Sequence, residues 1–390
     1  MLNNKYRNKN SWVASIILMA SLSLVFISRL EAYISLGPYI LMALSFVSFC
    51  LFLSQLNRNR IFVKFLKTIL FFVVALIFNF VFIRNLEIKQ LIFGVLICPS
   101  IACLLFFYDY KQWVSWIPFC ITLSLIIYRW FILGMDAEDI TVNSRNYIVY
   151  LLLISSFPYI IYCHRCNKKP ILLFPIILLV LAILAIGRGS IIMACIFFIG
   201  WIFGGIRFSK HKGLSIFLLL ICISIIGYFL YGNDTTDLLF SRFEERGLES
   251  DSRTDAWMQY VHSLVDPFNF IFGTRVSTLP LVHDLGDSLH NSYLQLHARM
   301  GLAGIPYLLM ALSGFMVLLK KKEYVMAGYF GAFLVKGLVD ADFPCTGVCG
   351  DIYMYYLMLI SIENSFNIKV KNEGKSNSFI SAPIPSDSGE

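Results

Sequence analysis

The sequence predicts an all-α protein that crosses a membrane many times. Hydrophobic residues make up 58% of its 390 residues, charged residues only 14%, and the mean hydropathy is +0.73. Soluble domains are closer to half apolar and a quarter charged. The apolar runs recur along almost the whole chain and approach the ~20 residues that cross a ~30 Å hydrocarbon core as a helix. A membrane β-barrel would instead show alternating segments of about ten residues.

Twelve apolar segments are candidate transmembrane helices. The first follows a polar, basic N-terminus and has no small-residue cleavage site, so it is expected to span the membrane rather than act as a signal peptide. The predicted spans cover residues 12–30, 33–54, 66–83, 90–108, 113–134, 146–162, 170–186, 189–206, 214–231, 301–319, 324–340 and 350–363.

The charges of the connecting loops alternate with the spans. If both termini lie on one side, that side receives 20 of the 32 Lys and Arg residues, and the opposite side receives 18 of the 24 Asp and Glu residues. The positive-inside rule makes the basic side cytoplasmic. The net charge of +8 is therefore a topological signal and gives no reason to expect nucleic-acid binding.

One long connection, residues 232–289, falls on the outer side. Loops beyond about 15 residues are usually functional or disordered. Within this loop, Trp257, Tyr260, Val261 and Leu264 follow helical spacing. They predict an amphipathic helix lying on the membrane surface as part of a cap. Asp251 or Ser252 would cap this helix, and "DPFNFIFGT" would end it.

The chain is thereby divided into four parts. Residues 1–231 carry spans one to nine, 232–289 form the cap loop, and 290–363 carry spans ten to twelve. The polar residues 364–390 form a tail that is predicted to be disordered and cytoplasmic.

Three arginines on the predicted outer side are candidate phosphate ligands. Arg188 lies in a tight turn between Gly187 and Gly189, Arg253 begins the cap helix, and Arg145 precedes span six. A charge at the edge of the bilayer is costly and is a functional candidate by default. The alternative is snorkelling to the lipid phosphates. Guanidinium groups make bidentate bonds to phosphate, so converging arginines would suit a lipid-linked pyrophosphate.

His290 is the candidate general base. A neutral imidazole near pH 7 accepts a proton from an attacking hydroxyl. Asp287 would orient it if the segment were helical. A lone histidine is more often structural than catalytic, and His297 has weaker support than His290. The histidine spacing matches no metal-ligand pattern, so neither a metal nor a cofactor is predicted. Cys345 and Cys349 are close enough in sequence to form a disulfide.

The stretch "HNSYLQLHARMGLAG" fits the pattern H-N-x9-G-x-x-G, with His290, Asn291, Gly301 and Gly304 at its fixed positions. It resembles the signature of the bacterial O-antigen polymerase and O-antigen ligase family. "GRGS" is similar to the arginine turn of that family. "RTDAWMQYVHSLVDPFNFIFG" is similar to its outer-loop pattern R-x3-W…P…G.

The resemblance implies a GT-C-like bundle with a large periplasmic loop in the bacterial inner membrane. It implies glycosyl transfer from an undecaprenyl-pyrophosphate-linked glycan at the periplasmic face, without a metal. Arg188 and Arg253 would hold the pyrophosphate, Arg145 and Asn291 would contribute to substrate binding, and His290 would activate the acceptor. A polysaccharide chain-length regulator is an expected partner.

Two members of that family remain open, and so do two other classes. A polymerase transfers glycan to another lipid-linked repeat unit, whereas a ligase transfers it to lipid A-core. "NSRNYIV" and the acidic outer face favour a polymerase. A transporter or flippase of lipid-linked oligosaccharide would show internal repeats and ionisable residues deep in several spans. Lys336 is the main candidate for such a residue. In a non-catalytic scaffold, Arg188 and His290 would be dispensable.

Overall fold

A computed structural model describes residues 60–141, 145–185, 187–208, 251–345 and 350–380. Every regular element within these ranges is helical. The predicted spans at 12–30, 33–54 and 214–231 lie outside the described residues, as does the first part of the cap loop. Each of the other predicted spans is matched by a helix.

Five helices among the described residues are long and apolar enough to cross a membrane. They are α1 (Arg60–Ile83), α2 (Ile88–Phe107), α3 (Gln112–Ile132), α4 (Tyr147–Arg165) and the continuous run Ser292–Lys320. Shorter apolar helices are α5 (Leu173–Leu184), the greater part of α6 (Arg188–Phe208) and the helix Tyr324–Lys336. The protein is therefore an all-α membrane protein with several apolar helices that fit multiple crossings.

Three α-helices lie in the described part of the cap, residues 251–289. They are α7 (Asp251–Ser263), α8 (Pro267–Phe272) and α9 (Pro280–Asp284). The helix predicted from the spacing of Trp257 and Tyr260 is present, with Tyr260 fully buried but Val261 exposed. The predicted break after it is confirmed, because the Asp266 carboxylate accepts the Phe268 N–H at 3.0 Å and starts α8.

The C-terminal half continues with α10 (Ser292–Met300), α11 (Gly304–Lys320), α12 (Tyr324–Lys336) and α13 (Asp351–Ile380). Helix α12 ends four residues before the predicted limit of span eleven. Helix α13 continues past residue 363, the end of predicted span twelve, through residues assigned from the sequence to a disordered tail. Helices α6 and α12 touch at Gly200 and Gly328, where a Cβ on either residue would collide with the other backbone.

Helices α4 and α12 run antiparallel in the centre of the bundle. At one end, the Lys336 Nζ lies 4.9 Å from the centre of the Tyr147 ring. At the other end, His164 Nδ1 lies 3.3 Å from Glu323 Oε2. We call the end that holds Tyr147 and Lys336 the site end, and the other the opposite end. All predicted site residues whose contacts are described belong to the site end.

Candidate functional site

His290 lies in the loop that precedes α10, at the border between the cap and the helical bundle. Its φ of 45° is left-handed, which is uncommon for a residue other than glycine. Its backbone N–H donates to Ser288 Oγ at 3.2 Å, and the Trp257 indole donates to the Leu289 carbonyl at 2.6 Å. Cap helix α7 therefore holds the loop in place. The imidazole is 30% exposed, so it is open to a substrate.

Asn291 fixes the start of α10 immediately after His290. Its Oδ1 accepts the N–H groups of Tyr293 and Leu294, at 3.0 and 3.1 Å, as an N-cap does. Its Nδ2 donates to the Leu338 carbonyl at 3.0 Å. The side chain predicted to bind substrate is thus engaged in holding the His290 loop against the residues that follow α12.

Ser292 joins the same two segments. Its N–H donates to the Gly337 carbonyl and its hydroxyl donates to the Asp340 carbonyl, each at 2.7 Å. The same hydroxyl accepts the Asp342 N–H at 2.7 Å. These bonds determine which residues after α12 face His290.

A buried lysine with two aspartates lies directly behind His290. The Lys336 side chain is fully buried, and its Nζ lies 2.9 Å from Asp340 Oδ2 and 2.9 Å from Asp342 Oδ1. The Tyr150 ring lies 4.5 Å away on another side, as a cation–π partner. Buried charges persist only when they are paired and hydrogen-bonded, and this ammonium satisfies both conditions. We call Lys336, Asp340 and Asp342 the lysine cluster.

The lysine cluster reaches His290 through Asp340. Asp340 Oδ1 lies 4.0 Å from His290 Nδ1, within ion-pair range but beyond a direct hydrogen bond. Burial raises the pKa of both aspartates, whereas the Lys336 ammonium lowers it. For Asp342 burial prevails and the pKa is raised. For Asp340, Lys336 together with His290 and Arg253 holds the pKa below its usual value. Asp340 is therefore the carboxylate that stays ionised beside His290.

Arg253 meets the same segment from the cap. Its Nη1 donates to the Val339 carbonyl at 3.1 Å, one residue before Asp340. Its charge is also felt by the Asp340 carboxylate. The structure thus places Arg253 and His290 against neighbouring residues of one segment, although 36 residues separate them in the sequence.

The two remaining arginines lie in adjacent turns. Arg145 Nε is 2.8 Å from Glu138 Oε1, and the turn that holds Arg145 continues into Asn146. A Cβ at Gly187 would be 3.0 Å from Asn146 Oδ1, and Ser190 Oγ donates to the Asn146 carbonyl at 2.9 Å. The Arg188 backbone therefore lies beside the Arg145 turn; its side chain is outside the described part of the structure.

The expectation that Asp287 orients His290 is wrong. Residues 287–290 are not helical, and Asp287 has a left-handed φ of 58°. Its carboxylate instead lies 2.9 Å from His283 Nδ1. The carboxylate nearest to His290 comes from Asp340, fifty residues later in the chain. The sequence signal that could have indicated this carboxylate is the pattern "KGLVDAD", in which two acids follow shortly after a lysine that ends an apolar run.

His297 has a structural role in the cap. Its Nε2 lies 2.9 Å from the Phe270 carbonyl, which can only accept, so this nitrogen carries the proton. Its Nδ1 then accepts from the Tyr260 hydroxyl at 2.7 Å. Both ring nitrogens are used to join α7, α8 and α10. Burial raises the pKa of the Tyr260 hydroxyl, which keeps this donor protonated.

A second set of buried polar groups surrounds Asp351. The Asp351 carboxylate accepts the Tyr307 hydroxyl at 2.9 Å and the Cys345 N–H at 2.7 Å, while Arg299 donates to the Pro344 carbonyl. Of the two cysteines that could form a disulfide, Cys345 is buried with a free thiol, and Cys349 lies outside the described residues. Among the residues that the structure does describe, no group of three or more His, Cys, Asp or Glu side chains could hold a metal ion.

No protein-family model matches the chain, and no curated protein matches it.

Proposed function

We propose that this protein is an O-antigen polymerase. In this proposal, twelve transmembrane helices form a GT-C-like bundle in the bacterial inner membrane, with both termini cytoplasmic and the cap periplasmic. The enzyme transfers glycan from undecaprenyl pyrophosphate to a lipid-linked repeat unit. It belongs to surface polysaccharide and lipopolysaccharide biosynthesis.

The convergence of His290 and Arg253 on residues 337–342 carries the proposal. Glycosyl transfer from a pyrophosphate needs a base for the acceptor hydroxyl and cations for the leaving group, held in one place. The Arg145 turn and the Arg188 turn lie at the same end of the bundle, linked to the lysine cluster through Tyr147. The site end therefore offers the chemical groups that the reaction requires.

In the reaction, His290 Nε2 accepts the proton of the attacking sugar hydroxyl. The hydroxyl oxygen forms a bond to the anomeric carbon of the donor, and the bond from that carbon to the phosphate oxygen breaks. Undecaprenyl pyrophosphate leaves with the electron pair, and Arg253 and Arg188 stabilise its charge. A single displacement inverts the anomeric configuration and needs no metal.

Asp340 acts on the reaction through His290. Its carboxylate faces Nδ1, the nitrogen on the far side of the ring from the acceptor, and stabilises the imidazolium that forms. Lys336 keeps that carboxylate ionised and in position. Asp340 and Lys336 are therefore positioning residues, and neither needs to touch the substrate.

One observation favours a different class. Buried ionisable residues in membrane proteins often mark transport pathways, and the lysine cluster is such a group. A flippase of lipid-linked oligosaccharide is therefore the second candidate. An O-antigen ligase would use the same site with lipid A-core as acceptor.

The lipopolysaccharide ladder of a deletion strain separates these functions. A polymerase deletion leaves lipid A-core carrying a single repeat unit. A ligase deletion leaves bare core and accumulates long lipid-linked polymer. A flippase deletion leaves bare core and accumulates unpolymerised repeat units on the cytoplasmic face.

Complementation with His290→Ala tests the site itself. We expect this variant to match the deletion strain, because a general base contributes about 10²–10⁴-fold to rate. His283→Ala is the matched control, since His283 is also in the cap but pairs with Asp287 away from the lysine cluster. It should restore the full ladder. A full ladder from His290→Ala at normal expression would contradict the proposed role.

A further inference from the structure

Five apolar side chains near α8 are exposed in the cap. Val265 is 82% exposed, Phe268 and Phe270 are each 47% exposed, and Ile271 and Phe272 are 44% and 37% exposed. Exposed apolar patches of this kind mark interaction surfaces. We call residues 265–272 the apolar wedge.

The apolar wedge lies against the lipid-facing side of α1. The Phe272 ring packs on Phe78 at 4.8 Å between ring centres, and Phe78 packs on Phe82 at 4.7 Å. Phe82 is 67% exposed, and α1 is among the helices apolar enough to cross a membrane. The exposed face of such a helix contacts hydrocarbon. The wedge therefore continues a surface that the bilayer already covers.

The contact between Phe78 and Phe272 indicates how deep α8 lies relative to the membrane helix α1. Phe78 precedes the end of α1 at Ile83 by five residues, which is about 7 Å along a helix axis. Segments that lie in the membrane interface bury their apolar faces by about 5–10 Å. Phe272 is thus level with the last turns of a membrane helix rather than above them.

The wedge is held rigidly in this position. The Phe270 carbonyl accepts from His297, and Asn85 Nδ2 donates to the Thr274 carbonyl at 2.9 Å. Gly301 has a φ of +54°, and a Cβ there would collide with the Ile271 carbonyl. The glycine at this position of the "HNSYLQLHARMGLAG" stretch therefore permits the close approach of α8.

We infer that the apolar wedge inserts into the interfacial layer of the bilayer and contacts phospholipid acyl chains. The wedge then anchors the cap to the membrane, and one short α-helix, α9, separates the wedge from the His290 loop. The bilayer is the favoured occupant because the wedge is continuous with the exposed face of α1. This inference does not depend on the reaction that the site performs.

Photo-crosslinking in vesicles tests the inference. p-Benzoyl-phenylalanine would replace Phe268 in the full chain, reconstituted in vesicles of phosphatidylethanolamine and phosphatidylglycerol. Leu309, 60% exposed on α11, is the lipid-facing control, and His283, with 66% of its side chain exposed, is the polar control. After irradiation, the mass of the intact protein reports lipid adducts.

We expect position 268 to give adducts on acyl chains at a level close to that of position 309 and several-fold above that of position 283. Position 265 serves as a second site if the first substitution lowers the yield of folded protein. Adducts no more frequent than at position 283, or cross-links to a second copy of the chain in place of lipid, would overturn the inference.

Discussion

At each end of the antiparallel helices α4 and α12, a histidine faces a carboxylate. The two histidine–carboxylate pairs differ in the charged groups that surround the carboxylate. At the opposite end, His164 Nδ1 is 3.3 Å from Glu323 Oε2, beside a small cleft that Lys168 and Lys322 also line. At the site end, His290 is farther from its carboxylate, at 4.0 Å from Asp340. A short distance alone would favour the opposite-end pair over the proposed one as a catalytic candidate.

The two histidine–carboxylate pairs differ in whether the lysine near them is buried. Asp340 is bound by Lys336, whose side chain is fully buried, and Arg253 approaches the same segment from the cap. Lys168 and Lys322, which line the cleft at the opposite end, are both exposed. Charges in water contribute little to fixing a geometry, whereas a paired and buried charge is held firmly in place. We therefore expect changes at the site end to have much larger effects.

Replacement of Lys336 should give the largest effect. Lys336→Met leaves two buried carboxylates without their cation, and breaking a buried ion pair costs about 3–5 kcal/mol. We expect a large fall in the melting temperature of the detergent-solubilised protein. Lys322→Met at the opposite end should change the unfolding free energy by no more than about 0.5 kcal/mol.

A triple variant sharpens this test. Lys336→Met combined with Asp340→Asn and Asp342→Asn removes all three charges together, so much of the lost stability should return. Equal melting temperatures for Lys336→Met and the wild type would show that the lysine cluster does not hold this end together.

Replacement of Asp340 should affect turnover more than stability. In Asp340→Asn the amide oxygen still accepts from Lys336, but the negative charge that faces His290 is lost. We expect kcat for glycan transfer to fall about tenfold, which corresponds to about 1.4 kcal/mol of barrier, with KM nearly unchanged. Purified protein and lipid-linked repeat units would supply the assay.

Glu323→Gln is the matched control at the opposite end, since it removes the charge beside a histidine there. It should leave kcat unchanged. A comparable fall in both variants, or a rise in KM with constant kcat for Asp340→Asn, would exclude the positioning role.

The sequence predicted helices α4, α7 and α12, but it did not predict that the carboxylate facing His290 comes from Asp340. Apolar runs locate α4 and α12, and the spacing of Trp257 and Tyr260 locates α7, because these depend on local periodicity. The placement of Asp340 depends on the bonds from Ser292 to the segment after α12, which no local pattern encodes. The sequence marks Lys336 as an ionisable residue in an apolar span, but its pairing depends on Asp340 and Asp342, which lie beside it after α12 ends.

An exposed histidine–carboxylate pair provides the smallest expected effect and a test of the burial argument. His283 Nδ1 lies 2.9 Å from Asp287 Oδ1, and this hydrogen bond raises the pKa of His283 above its unfolded value. A raised pKa stabilises the folded state fully below the unfolded pKa, and the stabilisation is lost as the pH rises through the folded pKa.

The melting temperatures of wild type and Asp287→Asn should therefore differ slightly below the unfolded pKa of histidine, about 6.5, and converge as the pH rises through the folded pKa. In a His283→Gln background, the same substitution should show no such pH dependence. If Asp287→Asn instead lowers stability at all pH values as strongly as Lys336→Met does, the burial of Lys336 is not what distinguishes the site end.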